Sequence, residues 1–164
     1  MAFRSEILIK LDKKGRVLLP AAFRDELPAD DRGAFVLYHS PNVPGVVNGN
    51  SRLGFDAMLD RLRVEALGPK GSLKVALDDE AFDPAGYLSA SARTIAMEPD
   101  GRFSMPAEFS QALGVDEGVM LVGKGDKFQM WNPKRWQARR DVDRDKMAAF
   151  VRGLANSDSE RGDA

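Results

Sequence analysis

This sequence contains no cysteine, one histidine, two tryptophans and two tyrosines among its 164 residues. Without cysteine there is no disulfide, no thiolate nucleophile, no iron–sulfur cluster and no Cys-based zinc site. With His39 as the single imidazole, multi-histidine metal sites are out and a Ser-His-Asp triad is fragile. A lone histidine at the end of an apolar run reads as structural. No stretch approaches 18 consecutive apolar residues, so no membrane span is expected. The opening residues run straight into an alternating pattern with charges at Glu6 and Lys10, with no uninterrupted apolar region of a secretion signal. Cytoplasm is therefore the expected compartment. An excess of one charge is also missing: 24 Lys and Arg against 25 Asp and Glu leave a net charge of −1. That excludes attachment to nucleic acid by bulk charge. A local basic patch is still possible, because phosphate contacts depend on where the cations sit.

What the sequence does have is a repeat. Residues 11–27 read LDKKGRVLLPAAFRDEL and residues 97–113 read MEPDGRFSMPAEFSQAL. At an offset of 86 they match at Gly15/Gly101, Arg16/Arg102, Pro20/Pro106, Ala21/Ala107, Phe23/Phe109 and Leu27/Leu113. Chemically similar pairs add Leu11/Met97, Asp12/Glu98 and Leu19/Met105. The apolar runs that follow, Phe35–Tyr38 and Met120–Val122, correspond as well. The chain thus divides into a first unit at 1–67, a connector at 68–89, a second unit at 90–153 and a polar tail at 154–164 that is expected to be disordered.

Within the first unit, Ile7, Ile9 and Leu11 alternate with polar or outward residues, the period of a half-buried strand. Asp12-Lys13-Lys14-Gly15 has the chemistry of a tight turn: Asp accepts turn hydrogen bonds and Gly takes the positive φ. Residues 16–19 are then expected to return as the second strand of a hairpin. Pro20 suits a helix start, and Pro28 stops a short helix at Leu27. Strands are expected at Ala34–Tyr38, near Val46–Leu53, at Val119–Val122 and at Phe128–Trp131. Asn48-Gly49-Asn50-Ser51 reads as turn-rich. Helices are expected at Asp56–Leu67 and Pro133–Leu154, the second with Met147, Phe150, Val151 and Leu154 at i, i+3, i+4 and i+7.

The chemistry that stands out is a basic turn. Lys10, Lys13, Lys14 and Arg16 fall within seven residues, opposed only by Asp12. A two-stranded ribbon can enter a DNA major groove, where arginine reads guanine O6 and N7. The competing reading is a solvated turn that uses lysine for solubility. The second turn, Glu98-Pro99-Asp100-Gly101-Arg102, keeps the arginine but has two acids and no lysine, and taken alone reads as structural. Other signals are weaker. Gly123-Lys124-Gly125 opens like a dinucleotide loop, but Phe128 occupies the third glycine position. Asp78, Asp79, Glu80 and Asp83 are compatible with a hard cation but read better as a solvated linker. Residues 134–152 hold seven Lys or Arg against three Asp, the pattern of a charged helix face. No enzyme, cofactor or metal is expected.

The doubled D-x-x-G-R-x-x-x-P-A-x-F pattern, together with the opening Phe3-Arg4-Ser5-Glu6, resembles the MraZ family of bacterial transcriptional regulators, relatives of the AbrB-type DNA-binding proteins. The resemblance covers residues 3–153. It implies an α+β, mainly β fold in which two swapped-hairpin repeats on one chain form a pseudo-symmetric barrel with short helices. It further implies a multimeric ring that binds G-rich direct repeats of double-stranded DNA upstream of a division and cell-wall gene cluster, nucleoid-associated and without a membrane. Residue by residue, Asp12, Gly15, Arg16, Pro20 and Arg24 fit the family motif in the first unit, and Gly101, Arg102 and Pro106 in the second. DNA contacts are then expected from Lys10, Lys13, Lys14, Gly15, Arg16 and Arg102. The alternative expectation is an interaction module, antitoxin-like or a ring scaffold, that touches DNA incidentally.

Overall fold

Each repeat supplies four strands, and most of their pairing is with the other repeat. In the computed structural model, which describes residues 2–31, 33–115 and 117–162, the first repeat contributes β1 (Glu6–Lys10), β2 (Arg16–Leu18), β3 (Ala34–His39) and β4 (Val47–Asn50). The second contributes β5 (Arg93–Ala96), β6 (Arg102–Ser104), β7 (Gly118–Gly123) and β8 (Phe128–Trp131). All pairings are antiparallel, in a six-stranded sheet of order β1-β7-β8-β4-β3-β5 and a two-stranded ribbon β2-β6.

The turn at Asp12–Arg16 closes as expected, but β1 and β2 do not continue as a hairpin. Beyond the turn they part, β1 to pair with β7 and β2 with β6. The exchange is what buries their apolar faces: Val17 lies opposite Phe103 in the ribbon, and the two are 1% and 2% exposed.

Interchanging the repeats maps this pairing scheme onto itself. Ile9 pairs with Val119 as Ile95 pairs with Phe35, and Leu18 pairs with Arg102 as Ser104 pairs with Arg16. The β4–β8 ladder is likewise symmetric about Asn48 and Gln129. Equivalent residues are 86 apart at β1/β5, 84 at β3/β7 and 81 at β4/β8, as the loops shorten in the second copy. The expected barrel is not found: among the described residues β1 and β5 are the edges of an open sheet, beside a separate ribbon.

One core fills the space between sheet and ribbon. Phe3, Phe23, Phe35, Phe103 and Phe128 meet there with ring centroids 5.0–5.8 Å apart. The short helices α1 (Ala21–Arg24) and α4 (Ala107–Leu113) each bury an equivalent phenylalanine, Phe23 and Phe109, in this core. α1 has no side-chain cap, as a Leu-Pro start implies, so packing holds it. β3 is buried on both faces. Phe35 and Leu37 point to the main core, while Val36 and Tyr38 face a second cluster with Phe55, Leu59, Ala85 and Leu88. Burial pushes the Tyr38 phenol up to about 12, so it stays neutral.

Three elements differ from expectation. The strand expected near Val46–Leu53 is present as β4 but ends at Asn50, and its turn-rich Asn48-Gly49-Asn50 lies extended in the middle of the sheet; the bare Cα of Gly49 leaves room for the Phe128 ring, which a Cβ would meet at 2.2 Å. Ser51 then starts a helix, its Oγ accepting from the Gly54 N–H at 2.9 Å. The connector is helical too. α2 (Arg52–Leu77) breaks at Gly68, where φ is 67° ahead of Pro69, then continues, and α3 (Pro84–Ser91) follows. The third difference is at the C-terminus. α5 (Pro133–Gly162), which forms a unit of its own, extends through the segment expected to be a disordered tail; Asp163 and Ala164 lie outside the described residues. At 26 and 30 residues, α2 and α5 run longer than the helices expected at Asp56–Leu67 and Pro133–Leu154, beside the short α1, α3 and α4. Among the described residues no helix is long and apolar enough to cross a membrane.

The two turn glycines carry the same backbone demand in different surroundings. Gly15 has φ 75° in open space. Gly101 has φ 94°, and a Cβ there would stand 2.8 Å from the Leu19 carbonyl oxygen and 2.7 Å from the Arg24 side chain. Gly15→Ala should therefore cost about 1–2 kcal/mol, the left-handed penalty alone, and Gly101→Ala distinctly more. Urea unfolding of both variants tests this; equal losses would contradict the close approach at Gly101.

Candidate nucleic-acid interface

The Asp12–Arg16 turn is organised by one carboxylate. Asp12 Oδ1 accepts from the backbone N–H groups of Lys14 and Arg16, both at 2.8 Å, and its Oδ2 accepts from Arg16 Nε at 2.8 Å. The backbone closes the loop: Gly15 N–H donates to the Asp12 carbonyl at 3.1 Å, and Asp12 N–H to the Arg16 carbonyl at 2.9 Å. These donors, the Arg16 backbone N–H first, hold the Asp12 carboxyl below its ordinary value. Arg16 is thereby held at Nε, with 34% of its side chain exposed. Lys10, Lys13 and Lys14 are exposed around it, and none forms an ion pair among the described residues.

The second turn solves the same problem with a different acid. Glu98, at the position of Asp12, contributes only its backbone: its N–H donates to the Arg102 carbonyl at 2.8 Å. The bracing carboxylate is Asp100, which accepts from Arg102 N–H at 3.0 Å and from Arg102 Nη1 at 2.7 Å. These bonds hold Asp100 below its ordinary value, with the Arg102 backbone N–H again the largest cause. Asp100 is the residue sequence reasoning missed. It stands two positions before the arginine rather than four, and only the fold shows that each spacing brings a carboxylate onto its own repeat's arginine.

The ribbon brings the two turns together. Leu19 N–H donates to the Gly101 carbonyl at 3.0 Å and Met105 N–H to the Gly15 carbonyl at 3.2 Å, so each turn glycine is tied to the other repeat. With Val17 and Phe103 inward, period-two alternation puts Arg16, Leu18, Arg102 and Ser104 on the outward face. Arg16 and Arg102 lie diagonally across the ribbon, and both border the two clefts that flank it. One cleft is completed by Leu8, Lys10 and Leu18, the other by Thr94, Glu98 and Ser104.

The remaining motif residues are supports. Pro20 and Pro106 open α1 and α4. Arg24 Nε donates to the Leu19 carbonyl at 3.0 Å while its stem covers Gly101; Ser110, its counterpart, is too short to do this. His39 packs on Phe109 at 4.8 Å, and Gly123 and Gly125 bond Ser5 and Phe3 in extension of β7. Among the described residues no group of three or more His, Cys, Asp or Glu is placed to hold a metal ion, the 78–83 acids included.

Fold and site together define a duplicated α+β protein whose two copies interlock and present a paired-arginine ribbon. A family model described as "MraZ protein, putative antitoxin-like" matches residues 88–150. The transcriptional regulator MraZ of Xanthobacter autotrophicus (strain ATCC BAA-1158 / Py2) is 32% identical over 138 residues, 83% of this chain and 80% of that protein. Its namesake in Stenotrophomonas maltophilia (strain R551-3) is 28% identical, covering 83% and 86%. That of Xanthomonas campestris pv. campestris (strain 8004) is 26% identical over 136 residues. The chain belongs to the MraZ family.

The lowered carboxyls set a pH dependence. A group whose folded pKa is depressed contributes stability that is present above its unfolded value, near 3.8 here, and lost as pH falls through the folded value. Unfolding midpoints should therefore fall on the acid side of about pH 4, and Asp12→Asn should fall less steeply than wild type. An unchanged acid slope in Asp12→Asn would show that this carboxylate is not coupled to folding.

Proposed function

We propose that this chain is a DNA-binding transcriptional regulator that reads sequence with its first turn. The observation that carries the reading is the Asp12 brace: it orients Arg16 on an exposed ribbon, with three exposed lysines around it that form no ion pair among the described residues. In the major groove Arg16 would donate two hydrogen bonds to guanine, while Lys13, Lys14 and Lys10 would neutralise phosphates. Gly15 supplies the turn. Arg102 is braced in the same way, but Glu98 and Asp100 stand where the first turn has Asp12 and Lys14, so its role on DNA is the lesser one.

One such turn makes few phosphate contacts and binds weakly. Several turns carried by a ring-shaped multimer on regularly spaced boxes would raise affinity through effective concentration. This is how a chain of net charge −1 can hold DNA. The family resemblance points to G-rich direct repeats upstream of the division and cell-wall cluster, including the regulator's own gene, as the target. The relatives' name, transcriptional regulator, supports the same reading.

Fluorescence anisotropy with duplex from upstream of the chain's own gene tests it. Arg16→Ala should lose about 1–3 kcal/mol for each guanine contact, a loss of roughly fivefold to 150-fold, and should relax specificity. Lys13→Ala and Lys14→Ala should weaken binding to every sequence and flatten the salt dependence by close to one unit of slope per phosphate contact. Equal, weak binding of operator and scrambled duplex by wild type and Arg16→Ala would instead favour an interaction module that meets DNA incidentally.

A further inference from the structure

The outward face of the ribbon carries an apolar residue that neither the arginine braces nor the phosphate contacts use. Leu18 is 43% exposed there, and Leu8 on β1 is 57% exposed. Both line one cleft of about 570 Å3 that opens between β1 and β2, the strands that part beyond the turn, with Lys10, Arg16 and Arg102 at its margin. A surface leucine standing alone needs no explanation. Two leucines on one cleft, among three cations, on the face that meets DNA in the proposed function call for one.

The duplication shows that the scaffold does not require them. At the offset of 86, Thr94 stands for Leu8 and Ser104 for Leu18. The counterpart cleft, lined by Thr94, Glu98 and Ser104, has about half the volume, 280 Å3. Both clefts flank the same buried Val17–Phe103 pair, so the fold is satisfied with hydroxyls at these positions as well as with leucines. Leucine there leaves apolar surface in water, which is unfavourable until something apolar covers it.

Register places Leu18 beside the arginine that reads guanine. The ladder hydrogen bonds run from Leu19 to Gly101 and from Met105 to Gly15, so Arg16–Ser104 and Leu18–Arg102 are the non-hydrogen-bonded pairs, whose side chains stand closest. Arg102 is held to its own turn by Asp100, which leaves Leu18 as the apolar end of the pair. Arg16 and Leu18 leave one strand on the same face two residues apart, about 7 Å, the rise of about two stacked base pairs. In the major groove the apolar group of a base pair is the C5-methyl of thymine.

We infer that Leu18, with Leu8 across the cleft, takes the C5-methyl group of a thymine next to the guanine that Arg16 reads. The inference rests on the DNA reading and adds a second base to it, distinguished by apolar contact where Arg16 uses hydrogen bonds.

Selection from a random pool by full-length wild type supplies the site, and anisotropy on a duplex with one copy of it is the measurement. Each thymine is replaced in turn by deoxyuridine, which removes the methyl and leaves the hydrogen-bonding groups in place. One replacement near the guanine should weaken wild-type binding about three- to fivefold, the effect of burying one methyl. Leu18→Ser, the residue type that the second repeat carries at Ser104, should bind thymine and uracil duplexes alike and keep the guanine preference. Three results would each overturn the inference and leave the Arg16 reading standing. They are a selected site with no thymine within about three base pairs of the guanine, uracil duplexes that wild type binds as tightly as the thymine ones, and a Leu18→Ser chain that responds to the methyl as wild type does. A wild type with no guanine preference would instead overturn the Arg16 reading, and this inference with it.

Discussion

The exchange of backbone between the two repeats at β2 and β6 is the constraint on which the rest depends. A three-residue strand cannot hold itself, and neither turn glycine keeps its carbonyl satisfied within its own repeat. Crossing over solves both problems. Val17 and Phe103 bury each other, Leu19 bonds to Gly101, and Met105 bonds to Gly15. The core aromatics then come from both copies, so half of the chain would expose Phe23, Phe35 and Phe128 or their partners to water. Duplication on one chain turns a concentration-dependent association into a folding step.

Having two copies also provides an internal comparison. What both repeats retain (the positive-φ glycine, the proline before the short helix, the buried phenylalanine) is what the fold requires. What only one retains is open to another use. Leu8, Lys10 and Leu18 in the first repeat stand against Thr94, Ala96 and Ser104 in the second, and Lys14 against Asp100. Both arginines are braced by a carboxylate, and the turns differ most in charge: four cations and one acid in the first, one cation and two acids in the second. A pseudo-symmetric scaffold thus carries one strongly cationic turn.

Much of this was legible before any coordinates. The repeat, the turn chemistry of Asp12 and Gly15, the start of α1 at Pro20 and the strands at 34–38 and 128–131 follow from local pattern, because turns and alternation are local physics. The partner of each strand was not legible. Alternation specifies a buried face but not the segment that covers it, so β1 and β2 read as a simple hairpin when their partners lie 108–116 and 84–88 residues away. The strand near Val46–Leu53 was expected despite the turn-rich Asn48-Gly49-Asn50, whose place in it makes sense only once the Phe128 ring is seen to cross Gly49. The helix expected to end at Leu67 does break at Gly68, but helix resumes beyond it, and the polar end of α5 stays helical without burying anything.

The central claim is that two equivalent arginines, each braced by a carboxylate, differ on DNA because of the charges beside them. The most direct measurement is selection of bound duplexes from a random pool by wild type, Arg16→Ala and Arg102→Ala, compared position by position. The account predicts a guanine preference in wild type that Arg16→Ala loses and Arg102→Ala largely keeps. Loss of the same preference in both variants, or in Arg102→Ala alone, would contradict it.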